Sequence, residues 1–177
     1  TPGCGVFKGI SEIRPAHYAY YDETGLTIHR YWNVEAHEHS DSFEQTAEKV
    51  RYLVTDSIKR QLVSDVPLCT FLSGGLDSSL ISSVTNGEFE KSGEVLHTFS
   101  VDYKDNEKYF KKSKFQPNSD PEFIRIMEKY LGGVHHRIVI DTDELVNVLY
   151  CAVDARDLPG MADVDASMLL LCKAIKE

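Results

Sequence analysis

Long apolar runs are missing from this sequence: nothing approaches the roughly 20 consecutive apolar residues a membrane-spanning helix needs, and no signal-peptide pattern opens the chain. Cysteine is scarce and scattered. Cys4, Cys69, Cys151 and Cys172 include no C-x-x-C pair, which excludes a paired-cysteine metal site and a disulfide framework and fits a reducing, cytoplasmic setting. Basic charge falls short of acidic charge, 19 residues against 28, for a net charge of −9. That balance argues against non-specific nucleic-acid binding as the main task. Internal repeats and low-complexity tracts are absent as well. What is present is ordinary globular composition, 42% apolar and 27% charged, over 177 residues, enough for one domain with a remainder and a sizeable core.

Residues 1–34 read as a small β segment. Val6–Ile10 is a short apolar strand candidate, and His17–Tyr21 and Leu26–Trp32 flank Asp22-Glu23-Thr24-Gly25, the pattern of a hairpin. Glu35–Asp41 reads as a linker. A capping box, Ser42 with Gln45, then opens a helix whose apolar positions run from Phe43 to Leu62 before Pro67 stops it. Leu68–Leu72, Val95–Tyr103 and Val134–Ile140 read as buried strands. Between and after them come helices over Asp77–Thr85 (stopped by Asn86-Gly87), from Ser119 to Gly132-Gly133 and over Glu144–Ala155, then a loop over Asp157–Asp165 and a terminal helix whose last residues are Leu169 to Glu177. Lys104–Ser119 reads as a long surface loop. Strands alternating with helices predict an α/β fold, a doubly wound parallel sheet. The chain opens on Thr and closes within a helical pattern, so it is expected to be a piece of a longer protein.

One string stands out chemically. Ser73-Gly74-Gly75-Leu76-Asp77-Ser78-Ser79 lies between a strand and a helix. Glycines there let the backbone approach a phosphate, and the first N–H groups of the helix point at the anion. Asp77 would repel a bare phosphate, which points to a bridging Mg²⁺. There is neither a Walker A lysine nor a third glycine for a dinucleotide fingerprint. The same residue types also make a plain strand-to-helix turn with Ser and Asp as caps. The length of the string, and its position at the carboxyl end of a first parallel strand, favour a nucleotide site.

The string resembles the pyrophosphate-binding loop of the N-type ATP pyrophosphatases, which cleave ATP between its α- and β-phosphates and adenylate a substrate oxygen. Its flanks resemble the glutamine-hydrolysing asparagine synthetases: Ser64-Asp65-Val66-Pro67 before the loop, Gly5-Val6-Phe7-Lys8-Gly9-Ile10, Arg30-Tyr31-Trp32, and Gly133-Val134-His135-His136. The resemblance implies a sheet of the adenine-nucleotide α-hydrolase type. It makes residues 1–34 the end of a glutaminase domain and the passage out of it, and residues 35–177 the first part of the ATP-dependent synthetase domain. It implies ATP and Mg²⁺ as cofactors and aspartate and glutamine-derived ammonia as substrates. The partner is the glutaminase domain of the same polypeptide, with no nucleic acid and no membrane, and a homodimer is left open. By the same resemblance Leu72 and Val101 contact adenosine, Ser73, Gly74, Gly75, Asp77 and Ser78 hold pyrophosphate, and Asp77 serves the metal.

Two departures bear on activity. Cys4 follows Thr-Pro-Gly and is not the family's N-terminal nucleophile. The family's second nucleotide motif, Ser-Gly-Glu-x-x-Asp-Glu, has no match, because Ser92-Gly93-Glu94 is followed by His97 and Thr98 where the acidic pair belongs. No catalytic set is therefore complete, and the chain by itself is expected to make no product. Two other readings stay open: a related ligase such as a β-lactam synthetase, or a nucleotide-binding module without catalysis.

Other residues carry weaker signals. His135 and His136 are adjacent and face opposite sides of a strand, so they read as strand-entry polar residues. His37 and His39 lack a nearby Cys and make a poor zinc pair. Lys104, Lys108, Lys111, Lys112 and Lys114, interleaved with Tyr109, Phe110 and Phe115, read as a solvated loop before a nucleic-acid patch. Asp154, Asp157, Asp163 and Asp165 suit loop solubility or a helix cap as well as Mg²⁺.

Overall fold

The computed structural model describes residues 2–109, 120–158 and 160–176. They fall into two compact units, one ending at Ser42 and one beginning at Phe43.

The first unit is built on a hairpin of β1 (His17–Asp22) and β2 (Gly25–Arg30), paired antiparallel with Asp22 opposite Gly25. The Asp22 carboxylate organises the turn, accepting the Thr24 N–H at 2.8 Å and its hydroxyl at 2.6 Å. The expected strand over Val6–Ile10 does not form. Those residues make turns, closed by the Ile10 N–H on the Phe7 carbonyl, and no strand among the described residues pairs with them.

The second unit is α/β. Its elements are α1 (Phe43–Arg60), β3 (Cys69–Phe71), α2 (Leu76–Ser92), β4 (His97–Tyr103), α3 (Asn106–Tyr109), α4 (Asp120–Leu131), β5 (Val134–Ile140), α5 (Thr142–Arg156) and α6 (Ala162–Lys176). The three strands form one parallel sheet in the order β3-β4-β5. Parallel strands need crossover helices, and helices cover both faces of this sheet. Thr70 on β3 hydrogen-bonds Ser82 on α2 at 2.8 Å, which assigns one face to α2. Tyr103 on β4 reaches Ser167 on α6 at 2.9 Å from the other face. Apolar burial is centred on Leu72, Ile124 and Leu131, with Met127 against them.

Several boundaries differ from the sequence reading. Helix α2 does not stop at Asn86-Gly87. Asn86 is buried, and its amide donates to the Leu131 carbonyl at 3.0 Å and to Glu90 at 2.8 Å, so the helix gains a tertiary anchor where a stop was expected. The stop comes at Gly93, whose φ of +76° suits a residue without Cβ; its N–H meets the Glu90 carbonyl and the Glu94 N–H meets that of Phe89. Ser92-Gly93-Glu94 is thus a helix terminus. Part of the expected 104–119 loop is the short helix α3, and α6 begins at Ala162, inside the expected Asp157–Asp165 loop. Residues 110–119, with Lys111, Lys112, Lys114, Phe110, Phe115 and the Ser119 cap, lie outside the described residues. No helix among the described residues is long and apolar enough to cross a membrane.

Candidate nucleotide site

Strand β3 ends at Phe71, and its hydrogen bonding continues one residue further, where the Leu72 N–H donates to the Phe99 carbonyl at 2.7 Å. The Leu72 side chain is 1% exposed and packed against Ile124 and Leu131. Its side chain is committed to the core and its N–H to β4, so its free polar group is the carbonyl. The chain then turns sharply. Gly74 takes φ +78°, a left-handed conformation that a side chain would strain.

Gly75 is the N-cap of α2 and has no side chain with which to cap it. Hydrogen bonds run round the turn instead. The Gly75 N–H donates to Ser73 Oγ at 3.3 Å, Ser73 and Ser78 share a hydroxyl bond at 2.9 Å, and Ser78 Oγ donates to the Gly75 carbonyl at 3.2 Å. With the Ser78 proton on that carbonyl, Ser73 is the donor of the shared bond. The Ser73 N–H also reaches Ser78 Oγ, at 3.2 Å. These bonds hold the loop in shape while leaving the start of the helix open. The first intrahelical bond is the Ser79 N–H on the Gly75 carbonyl at 3.1 Å, so the N–H groups of Leu76, Asp77 and Ser78 have no intrahelical acceptor. Those donors and the positive end of the helix dipole are the chemistry that suits an anion.

Asp77 lies in the first turn, exposed, and is the only carboxylate of residues 73–79. It also lines an apolar groove with Leu53, Ile58 and Leu80. Among the described residues no group of three His, Cys, Asp or Glu side chains could hold a metal ion by itself. One carboxylate beside free amide donors suits Mg²⁺, which is usually held by one or two carboxylates with substrate phosphates and water supplying the rest. Val101 sits on β4. It lies two residues beyond Phe99, which pairs with Phe71 and whose carbonyl takes the Leu72 N–H. The structure therefore brings Leu72, Ser73, Gly74, Gly75, Asp77 and Ser78 together, with Val101 on the adjacent strand.

Several of the other candidates are engaged elsewhere. His135 and His136 do face opposite sides: His135 bonds Thr98 and Ser100, while His136 stacks on Phe99 at 4.5 Å and meets His97 at 3.0 Å. Lys104 pairs with Asp141 at 2.6 Å. Asp165 pairs with Arg156, and Asp157, at φ +55°, caps the end of α5. His37 approaches Glu35 at 3.5 Å. Sequence reasoning missed the polar layer between β4 and β5, in which Asp102 takes a hydrogen bond from Arg137. Burial pushes the Asp102 carboxyl up. The bonds from Arg137, Asn106 and the Tyr103 N–H outweigh burial and hold it below the ordinary carboxylate value.

A parallel sheet of three strands, with helices on both faces and a Gly-Gly turn from its first strand into an uncapped helix, places the chain among the α/β proteins. The chain belongs to the asparagine synthase family, whose model matches residues 49–177. It is 56% identical, over its whole length, to glutamine-hydrolysing asparagine synthetase 3 of Bacillus subtilis (strain 168), and covers 29% of that protein. It is 29% identical to asparagine synthetase B of Escherichia coli (strain K12), over 81% of the chain and 27% of the relative. It is 24% identical to an amidase of Gibberella zeae, over 96% of the chain and 27% of the relative. The chain spans less than a third of the length of these relatives.

Proposed function

We propose that this chain supplies the pyrophosphate-holding side of the ATP site in a glutamine-hydrolysing asparagine synthetase, a carbon–nitrogen ligase. In this reading the side-chain carboxylate of aspartate attacks the α-phosphate of ATP, the bond to the β-phosphate breaks, and pyrophosphate leaves. Ammonia released from glutamine then displaces AMP from the acyl adenylate to give asparagine.

The residues divide the work by position. The N–H groups at the start of α2 receive the negative charge of the pyrophosphate, joined by the Ser73 and Ser78 hydroxyls when these turn their protons from the ring to the anion. Gly74 and Gly75 let the backbone come close. Leu72, through its carbonyl, and Val101, on the neighbouring strand, border the adenosine. Asp77 would hold Mg²⁺, which when bound neutralises charge on the departing group. Residues 1–34 would close a glutaminase domain and lead out of it, and residues 35–177 would begin the synthetase domain. A cytoplasmic enzyme that engages neither nucleic acid nor membrane completes the reading, with a homodimer left open.

The observation that carries this proposal is the Ser73–Gly75–Ser78 hydrogen-bond ring in front of an uncapped helix, in a chain of this family. Ser78 is its hub. Ser78→Ala in the full-length protein should weaken ATP binding about tenfold, the equivalent of one hydrogen bond. Isothermal titration with ATP and Mg²⁺ checks this, and unchanged affinity would remove the ring from the site.

A further inference from the structure

We propose that His135 is a positioning residue for the nucleotide site: its imidazole clamps Thr98 and Ser100 and thereby holds the stretch of β4 on which the loop leans. This rests on the reading of residues 73–79 as the pyrophosphate site.

The sequence of β4 is unusual for a strand covered by helices. Such strands are normally rich in Val, Ile and Leu. Here Thr98, Ser100 and Asp102 alternate along the face toward α2, and all three are buried. Buried hydroxyls need partners. His135, the register partner of Thr98 on β5, serves both, with Nδ1 2.8 Å from Thr98 Oγ1 and Nε2 3.0 Å from Ser100 Oγ. A neutral imidazole donates at one nitrogen and accepts at the other. Whichever tautomer is present, one hydroxyl gives a proton to the ring and the other takes one from it.

Phe99 lies between the two clamped residues. Its carbonyl accepts the Leu72 N–H, the last backbone bond before the loop, and its ring is stacked by His136 from the opposite face. Val101 follows Ser100 directly. Releasing the clamp would loosen the acceptor for Leu72 and the strand that borders the adenosine together.

The clamp also carries a pH dependence. A second proton on the ring makes both nitrogens donors, so the hydroxyl that had donated to the ring loses its acceptor. Burial holds His135 below the ordinary imidazole value; Glu128 on α4 draws it up, and His136 and Arg137 on β5 push it down. Asp102 on β4 is paired with Arg137, and the buried polar residues of α2, Ser82, Thr85 and Asn86, are uncharged. A depressed value means that the neutral, clamping form is complete above the ordinary histidine range. It is lost as pH falls through the lowered value.

The test measures ATP affinity, with Mg²⁺, for the full-length wild type, His135→Gln, His135→Leu and Ser78→Ala, from about pH 8 down through the pH at which NMR shows the wild-type His135 ring take up its second proton. His135→Leu should bind about tenfold more weakly at neutral pH. His135→Gln, which can donate and accept from one amide, should recover most of that loss. It should also bind no worse in acid than the protonation of ATP itself requires, so its affinity relative to wild type rises as pH falls. A leucine variant that binds like wild type overturns the proposal, as does a wild-type-to-glutamine ratio that stays constant with pH. Should the leucine variant fail to fold, the glutamine ratio alone decides. Ser78→Ala separates the two ideas: unchanged binding there overturns the loop reading and the clamp with it, whereas weakened binding there with silent His135 variants overturns the clamp alone.

Discussion

Asp77→Ala in the full-length protein removes ammonia-dependent asparagine formation and leaves glutamine hydrolysis running. Asp77 sits in the first turn of α2, exposed, beside N–H groups that no intrahelical carbonyl takes up. A carboxylate there repels a phosphate directly and helps to bind one only through a cation. Removing it should therefore take away the metal's share in stabilising the departing pyrophosphate, a loss of at least about a hundredfold in rate. The fold has little stake in this side chain, since it is exposed and packs into no core cluster. Assays of asparagine from ammonia and of glutamate from glutamine, run on the same preparation, read the two half-reactions separately. Equal loss of both would mean misfolding, and unchanged synthesis would exclude Asp77 from the mechanism.

The 177-residue chain, supplied with ammonia, aspartate, ATP and Mg²⁺, makes no asparagine. Adenylation requires the aspartate carboxylate and the α-phosphate at near-attack distance, and a misplacement of about 1 Å can cost about a hundredfold. The Ser73–Ser79 loop offers donors from one side only. The opposite wall, which by resemblance to the family would carry a second Ser-Gly-Glu motif and its acidic pair, has no counterpart in these residues, since Ser92-Gly93-Glu94 ends α2. Binding can outlast catalysis here, because an anion at a helix start needs only the local N–H array. Assays of asparagine, AMP and pyrophosphate, with the full-length protein as control, check the result, and stoichiometric asparagine from the chain alone would refute it.

Much of the fold was legible because local signals and tertiary structure agree. Strand β5 runs over Val134–Ile140 as read, with glycines before it and a capping Asp141 after it. The turn between β1 and β2 falls where Asp22 and Gly25 place it. The turn after β3 was legible for a different reason: its hydrogen bonds lie within seven consecutive residues, so its geometry follows from local backbone rules. What sequence could not show depends on partners distant in the chain. Asn86 reads as a helix stop until the Leu131 carbonyl, 45 residues away, is brought against it. Val6–Ile10 has the composition of a strand, and no strand among the described residues pairs with it. His135 gave the right parity and nothing of its role, because Thr98 and Ser100 meet it only once β4 and β5 are side by side. The available hint was Thr98, Ser100 and Asp102 alternating in a strand that helices should cover.

Hydrogen–deuterium exchange on the full-length protein, with and without ATP and Mg²⁺, tests the central claim most directly. The claim is that the N–H groups of Leu76, Asp77 and Ser78 receive the pyrophosphate. The account predicts slowed exchange in peptides covering residues 72–82, reproduced by Mg²⁺-pyrophosphate and diminished by Ser78→Ala. Protection confined to other segments, with residues 72–82 unchanged at saturating ATP, would contradict it.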